Sequence, residues 1–160
     1  MYSVEQIKSL IRSFEIDYNI PAGLLEAVIS KESNFDPGAV GAIGEIGLAQ
    51  LRPGGAIADY EMYFPAEPDY FEPEVNLKVA AWYLGEKIPD YLSHFGLPDT
   101  IKNRIVAYNA GIGRAVDGVV PEITRKYIRY VKDYRSAKSG EFKYAYIAGF
   151  LLLSGLVFFS

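Results

Sequence analysis

The chain contains no cysteine, which excludes a disulfide framework, a thiolate metal site and a cysteine nucleophile. A single histidine, His94, argues against a histidine-rich metal site, and no cofactor is expected. Positive charge is in short supply. Lys and Arg number 16 against 20 Asp and Glu, and the formal net charge is -4. No electrostatic footprint for nucleic acid results. The opening "MYSVEQIKSL" has no basic stretch followed by an apolar one, so no secretory signal is expected there. No alternating strand pattern stands out.

What is present suits one domain with a sizeable core: 160 residues, 50% hydrophobic and 22% charged. The 13 tyrosines combine apolar area with a hydroxyl, which serves sugar faces and ordinary cores alike. Ser3 and Gln6 have capping-box spacing ahead of the stripe Val4, Ile7, Leu10, Ile11 and Phe14. "NIPAGLLEAVISKES" reads as a second helix with Pro21 in its first turn, ended by Asp36-Pro37-Gly38. "GAVGAIGEIG" reads as an irregular loop and "LAQL" as a short helix stopped at Pro53. Residues 54–73 read as a long surface loop. "EVNLKVAAWYLGEKI" is a helix broken at Pro89. "PDTIKNRIVAYNAG" is another, starting at Pro98 and closing at Gly111, and "PEITRKYIRYVKDYR" is the last before the tail.

The tail differs in kind. "YAYIAGFLLLSGLVFFS", residues 144–160, carries no charge over roughly 17 residues, the lower limit for a membrane-spanning helix. It shows no polar stripe, and Tyr144 and Tyr146 stand where an interfacial aromatic belt would. The alternative is a buried C-terminal helix. The expected organisation is a mostly α-helical domain over residues 1–135, a linker over 136–143 and one transmembrane helix over 144–160.

Glu32 is the acid most worth following. On a helix it shares a face with Leu25, Val28 and Ile29, so it points toward the core. Lost hydration raises a carboxyl pKa, and the helix C-terminus pushes the same way. A general acid near neutral pH needs such a shift. The alternative is a helix-edge glutamate that reaches water or pairs with Lys31. Trp82, beside Leu77 and Leu84, reads as core.

"ESNFDPGAVGAIGEIGLAQLRP", "VNLKVAAWYL", "AYNAG" and "PEITRKYI" follow one another in the order of the lytic transglycosylase family, which includes goose-type lysozymes, and resemble its motifs. The resemblance spans about residues 20–132. It implies a lysozyme-like helical fold that cleaves the MurNAc–GlcNAc bond of peptidoglycan glycan strands. It also implies that Glu32 is the catalytic acid/base, that Ser33, Gln50, Tyr108, Asn109 and Tyr127 serve the substrate site, and that Asn76 is structural. Tyr108 is the expected partner orienting the Glu32 carboxyl. The chain departs from the family pattern at Ala49, where methionine is usual, at Glu45, and at Ile123, inserted between Glu122 and Thr124.

The resemblance implies non-hydrolytic cleavage to a 1,6-anhydro-MurNAc end, for which one carboxyl suffices because the sugar supplies its own nucleophiles. Hydrolysis by a goose-type lysozyme is the alternative, with Glu45 as a second acid. A membrane-anchored peptidoglycan-binding or assembly protein without catalysis is another, and a holin-like membrane protein leaves the motifs unexplained. Lys and Arg cluster just before the tail, which the positive-inside rule would leave in the cytoplasm, away from the wall. Anchorage in the virion membrane of a bacteriophage, with wall opening during entry, resolves that conflict. A bacterial envelope apparatus is the other location. Partners are then glycan strands, lipid through residues 144–160, and other virion or envelope proteins.

Overall fold

The computed structural model describes the backbone of residues 2–153 and the side chains of residues 2–140. Helix α1 (Val4–Asp17) opens on the expected capping box, in which the Ser3 side chain accepts from the Gln6 N–H and the Gln6 side chain accepts from the Ser3 N–H. Its buried face carries Ile7, Ile11 and Glu15. Helix α2 (Leu24–Ser33) starts later than Pro21 suggests, because Gly23 takes a left-handed φ of 73° as its cap. It ends at Asn34, also left-handed, before the Asp36-Pro37-Gly38 turn.

Leu25, Val28 and Ile29 are fully buried, each contributing roughly 1.5–3 kcal/mol by burial. α2 packs on α1 and on α8 (Glu122–Leu153), α1 also packs on α4 (Pro73–Trp82), and α6 (Ile101–Ala110) packs on α8. Between α2 and α4 the backbone holds isolated bridges Val40–Ile46 and Ile46–Leu51. "LAQL" is not a helix, because Leu48–Gln50 form a turn and Leu51 pairs back with Ile46. Asn76, fully buried on α4, fixes this loop. Its Oδ1 accepts from the Ala49 N–H at 2.9 Å, and its Nδ2 donates to Ile46 O at 3.0 Å and Tyr70 O at 2.8 Å. Gly47 (φ 66°) passes so close that a Cβ there would lie 2.6 Å from Asn76 Nδ2.

Residues 54–73 are less irregular than expected, since α3 (Ala58–Glu61) lies within them and buries Tyr60 against Trp82. Trp82 is core, as read from the sequence. Pro89 does not break the next helix. A wide turn, Tyr83–Lys87, joins α4 to α5 (Ile88–His94), and Pro89 sits in the first turn of α5. A proline has no N–H for the carbonyl five residues back, that of Leu84. Arg104 Nη1 donates to that oxygen instead, at 3.3 Å. Thr100 caps α6, Gly111 (φ 87°) ends it, and α7 (Ile112–Val116) follows at once.

The linker expected at 136–143 is helical, because α8 runs through it without a break. Among the described residues no helix is long and apolar enough to cross a membrane. Of the expected spanning segment, residues 154–160 and all of its side chains lie outside the described residues.

Candidate active site

Glu32 ends α2 half-buried, on the edge of a cavity of about 450 Å³. Three elements meet there: the end of α2, the loop through Gly41–Arg52, and the end of α6 with Gly111. The volume is that of an ordinary ligand cleft. A larger cavity, about 660 Å³, lies elsewhere among α1, α2, α6 and α8. Its two carboxylates are already engaged, Glu15 by three backbone N–H groups and Glu26 by Tyr134 and Lys138. The smaller cleft holds the acid with the freer oxygen.

Tyr127, on α8, donates its hydroxyl to Glu32 Oε1 at 2.8 Å. Burial pushes the Glu32 pKa above its usual value. The Tyr127 hydrogen bond and the Lys31 charge pull it partly back, and the charge of Glu45 raises it. Burial, then the Glu32 charge, drives the Tyr127 and Tyr108 hydroxyls well above their ordinary range, so both remain donors.

The expected orienting role of Tyr108 is corrected. Its hydroxyl donates to the Ala49 carbonyl at 2.9 Å, tying α6 to the loop, while Tyr127 holds the acid. Tyr108 still lines the cleft. Gln50 lines it too, at a left-handed φ of 47°, but its Nε2 is taken by Ala39 O at 3.2 Å and Gly47 O at 2.9 Å. Its oxygen lies close to Gly41, where a Cβ would collide with Glu45 and Gln50. Asn109 lines the cleft with its Oδ1 bound by the Thr124 hydroxyl at 2.7 Å, which leaves its amide N–H groups for a ligand. Ser33 is not brought into the cleft lining, and its hydroxyl donates back to Ile29 O at 3.3 Å on its own helix.

Glu45 reaches the same cavity, with Oε2 accepting from the Ile43 N–H at 3.1 Å. Sequence reasoning missed Tyr83, whose ring lines the cleft edge-on to Tyr108. Burial pushes its hydroxyl up to about 12. The signal was the Trp-Tyr-Leu run at the end of α4, whose tyrosine falls in the wide turn.

Residues 9–120 match the family model of the Transglycosylase SLT domain. The chain belongs to this family. Membrane-bound lytic murein transglycosylase C of Haemophilus ducreyi is 32% identical over 112 residues, covering 65% of this chain and 30% of that protein. Its namesake in Mannheimia succiniciproducens is 28% identical over 111 residues, covering 66% and 31%. The chain thus spans less than a third of the curated relatives it matches.

An inactive mutant of the lytic transglycosylase Slt from Pseudomonas aeruginosa superposes with a TM-score of 0.67 at 21% identity, covering 85% of this chain and 24% of that one. The 70 kDa soluble lytic transglycosylase of Escherichia coli gives 0.63 at 25% identity, covering 79% and 23%. The fold is that of these lysozyme-like helical domains. Tyr127 lies beyond the matched residues of the SLT domain, so its place rests on its contact with Glu32.

Proposed function

We propose that this SLT-domain chain is a peptidoglycan lytic transglycosylase with Glu32 as its single general acid/base. The observation that carries the reading is a half-buried carboxyl in a polar cleft, its pKa raised by burial, with one oxygen held by Tyr127 and the other free. The protonated carboxyl gives its proton to the glycosidic oxygen as the bond from MurNAc C1 to that oxygen breaks. The resulting carboxylate takes the proton of the C6 hydroxyl as its oxygen bonds to C1. Atoms and charge balance without water, and the product ends in 1,6-anhydro-MurNAc. Asn109, Gln50 and the tyrosines offer donors and acceptors to sugar hydroxyl and acetamido groups.

One observation favours a second reading. Glu45 shares the cleft and is the candidate base for a water molecule, which would make the reaction hydrolytic. Digestion of sacculi in ¹⁸O-labelled water separates the two. Transglycosylation gives anhydro ends free of label, and hydrolysis gives labelled reducing ends. Sacculi left uncut under conditions where the protein is folded would favour a binding or assembly role.

The uncharged run at residues 144–160 supports a membrane anchor, and the curated relatives are themselves named membrane-bound. A bacterial envelope membrane is the location in keeping with those names.

A further inference from the structure

The 660 Å³ cavity has a different character from the cleft. Ile101, Ile105 and Ile128 give it an apolar wall. Arg12, Lys102, Lys132, Arg135 and Lys138 stand around it against the two carboxylates of Glu15 and Glu26. Glu15 is taken by the N–H groups of Gly23, Leu25 and Glu26, and Glu26 by the Tyr134 hydroxyl and by Lys138 at 3.0 Å. Arg135 Nε donates to Ala22 O at 3.0 Å. Arg12, Lys102 and Lys132, all exposed, have no ion-pair partner among the described residues.

A hollow that is apolar inside and cationic at its rim matches an amphiphile with a hydrocarbon chain and an anionic head. A sugar phosphate would satisfy the lysines and leave Ile101 and Ile128 wet. A neutral lipid would do the reverse.

We propose that this cavity binds an anionic phospholipid, its phosphate between Lys102 and Lys132 and part of an acyl chain against Ile101 and Ile128. The binding chemistry rests on the cavity alone, not on the membrane reading of the tail. The site lies outside the catalytic cleft, so its failure leaves the transglycosylase reading standing.

The test uses the full chain in a non-ionic detergent, titrated with monomeric dihexanoyl phosphatidylglycerol, dihexanoyl phosphatidylcholine and glycerol 3-phosphate, with binding read by native mass spectrometry. Phosphatidylglycerol should bind one per chain, at least tenfold tighter than either of the others. The pair of substitutions Lys102→Glu and Lys132→Glu should weaken it about tenfold or more, and Ile128→Trp should exclude it, with sacculus digestion unchanged in each. Equal binding of the two lipids, equal binding of glycerol 3-phosphate, or phosphatidylglycerol binding indifferent to the lysine substitutions would overturn the proposal.

Discussion

At the residue scale the proposed chemistry turns on how Glu32 is held. Its folded-state pKa is raised, so the folded chain binds that proton more tightly than the unfolded chain does. The ionised carboxylate therefore costs stability. The cost is absent below the unfolded value, near pH 4.3, and complete once the pH passes the folded value. Glu32→Gln should accordingly raise the melting temperature at pH 8, with the gain gone by about pH 4. A mutant equally stable or less stable than the parent at pH 8 would show that the carboxyl is solvated.

The pH–rate profile tests the neighbours. A general acid works while protonated, so activity falls as pH rises through its pKa. Tyr127→Phe removes a contact that lowers the pKa of Glu32 and should move the alkaline limb to higher pH, with kcat down about tenfold for a lost hydrogen bond to a charged group. Glu45→Gln removes a neighbour that raises it and should move the limb to lower pH. Shifts of the same sign in both variants would contradict this arrangement.

At the scale of elements, the loop between α2 and α4 owes its shape to Asn76. Asn76→Ala should leave Ala49 N–H, Ile46 O and Tyr70 O without their partner. At roughly 1–3 kcal/mol for each buried group left unsatisfied, a loss of at least about 3 kcal/mol is expected, read as a lower urea midpoint at unchanged slope. Activity should fall as well, since Gln50 and Glu45 ride on that loop.

Local signals made α1 and α6 legible in the sequence, because Ser3, Gln6 and Gly111 act within one turn of themselves. Helical spacing made the place of Glu32 beside Leu25, Val28 and Ile29 legible, and the order of the motifs singled it out as the acid. What escaped depended on distant partners. Pro89 falls in the first turn of α5, and Arg104, from α6, reaches the Leu84 carbonyl. "LAQL" became a turn because Asn76 and Ile46 captured its backbone. The motif order placed Tyr108 and Ser33 near Glu32, but it could not show that their hydroxyls are spent on Ala49 O and Ile29 O.

For the molecule as a whole, α8 joins the SLT domain to the uncharged segment without an interruption. Tyr127, Tyr134, Arg135 and Lys138 on this one helix contact Glu32, Glu26 and Ala22, so a cut must spare them. A chain ending at Gly140 should be monodisperse without detergent and as active on sacculi as the full chain. The full chain should partition with membranes, because about 17 uncharged residues expose a large apolar surface to water. A full chain soluble without detergent, beside an insoluble shortened one, would place residues 144–160 in the core.

The central claim is that one carboxyl on α2 performs the cleavage, and the most direct measurement is single-turnover digestion of sacculi at pH 6 by the full chain and its Glu32→Gln variant, each shown by its melting curve to be folded. An amide neither gives nor takes the proton, so anhydro-muropeptide release should fall by at least roughly 10²–10⁴-fold while sacculus binding persists. Release within tenfold of the parent by a folded, binding-competent Glu32→Gln chain would remove Glu32 from the reaction.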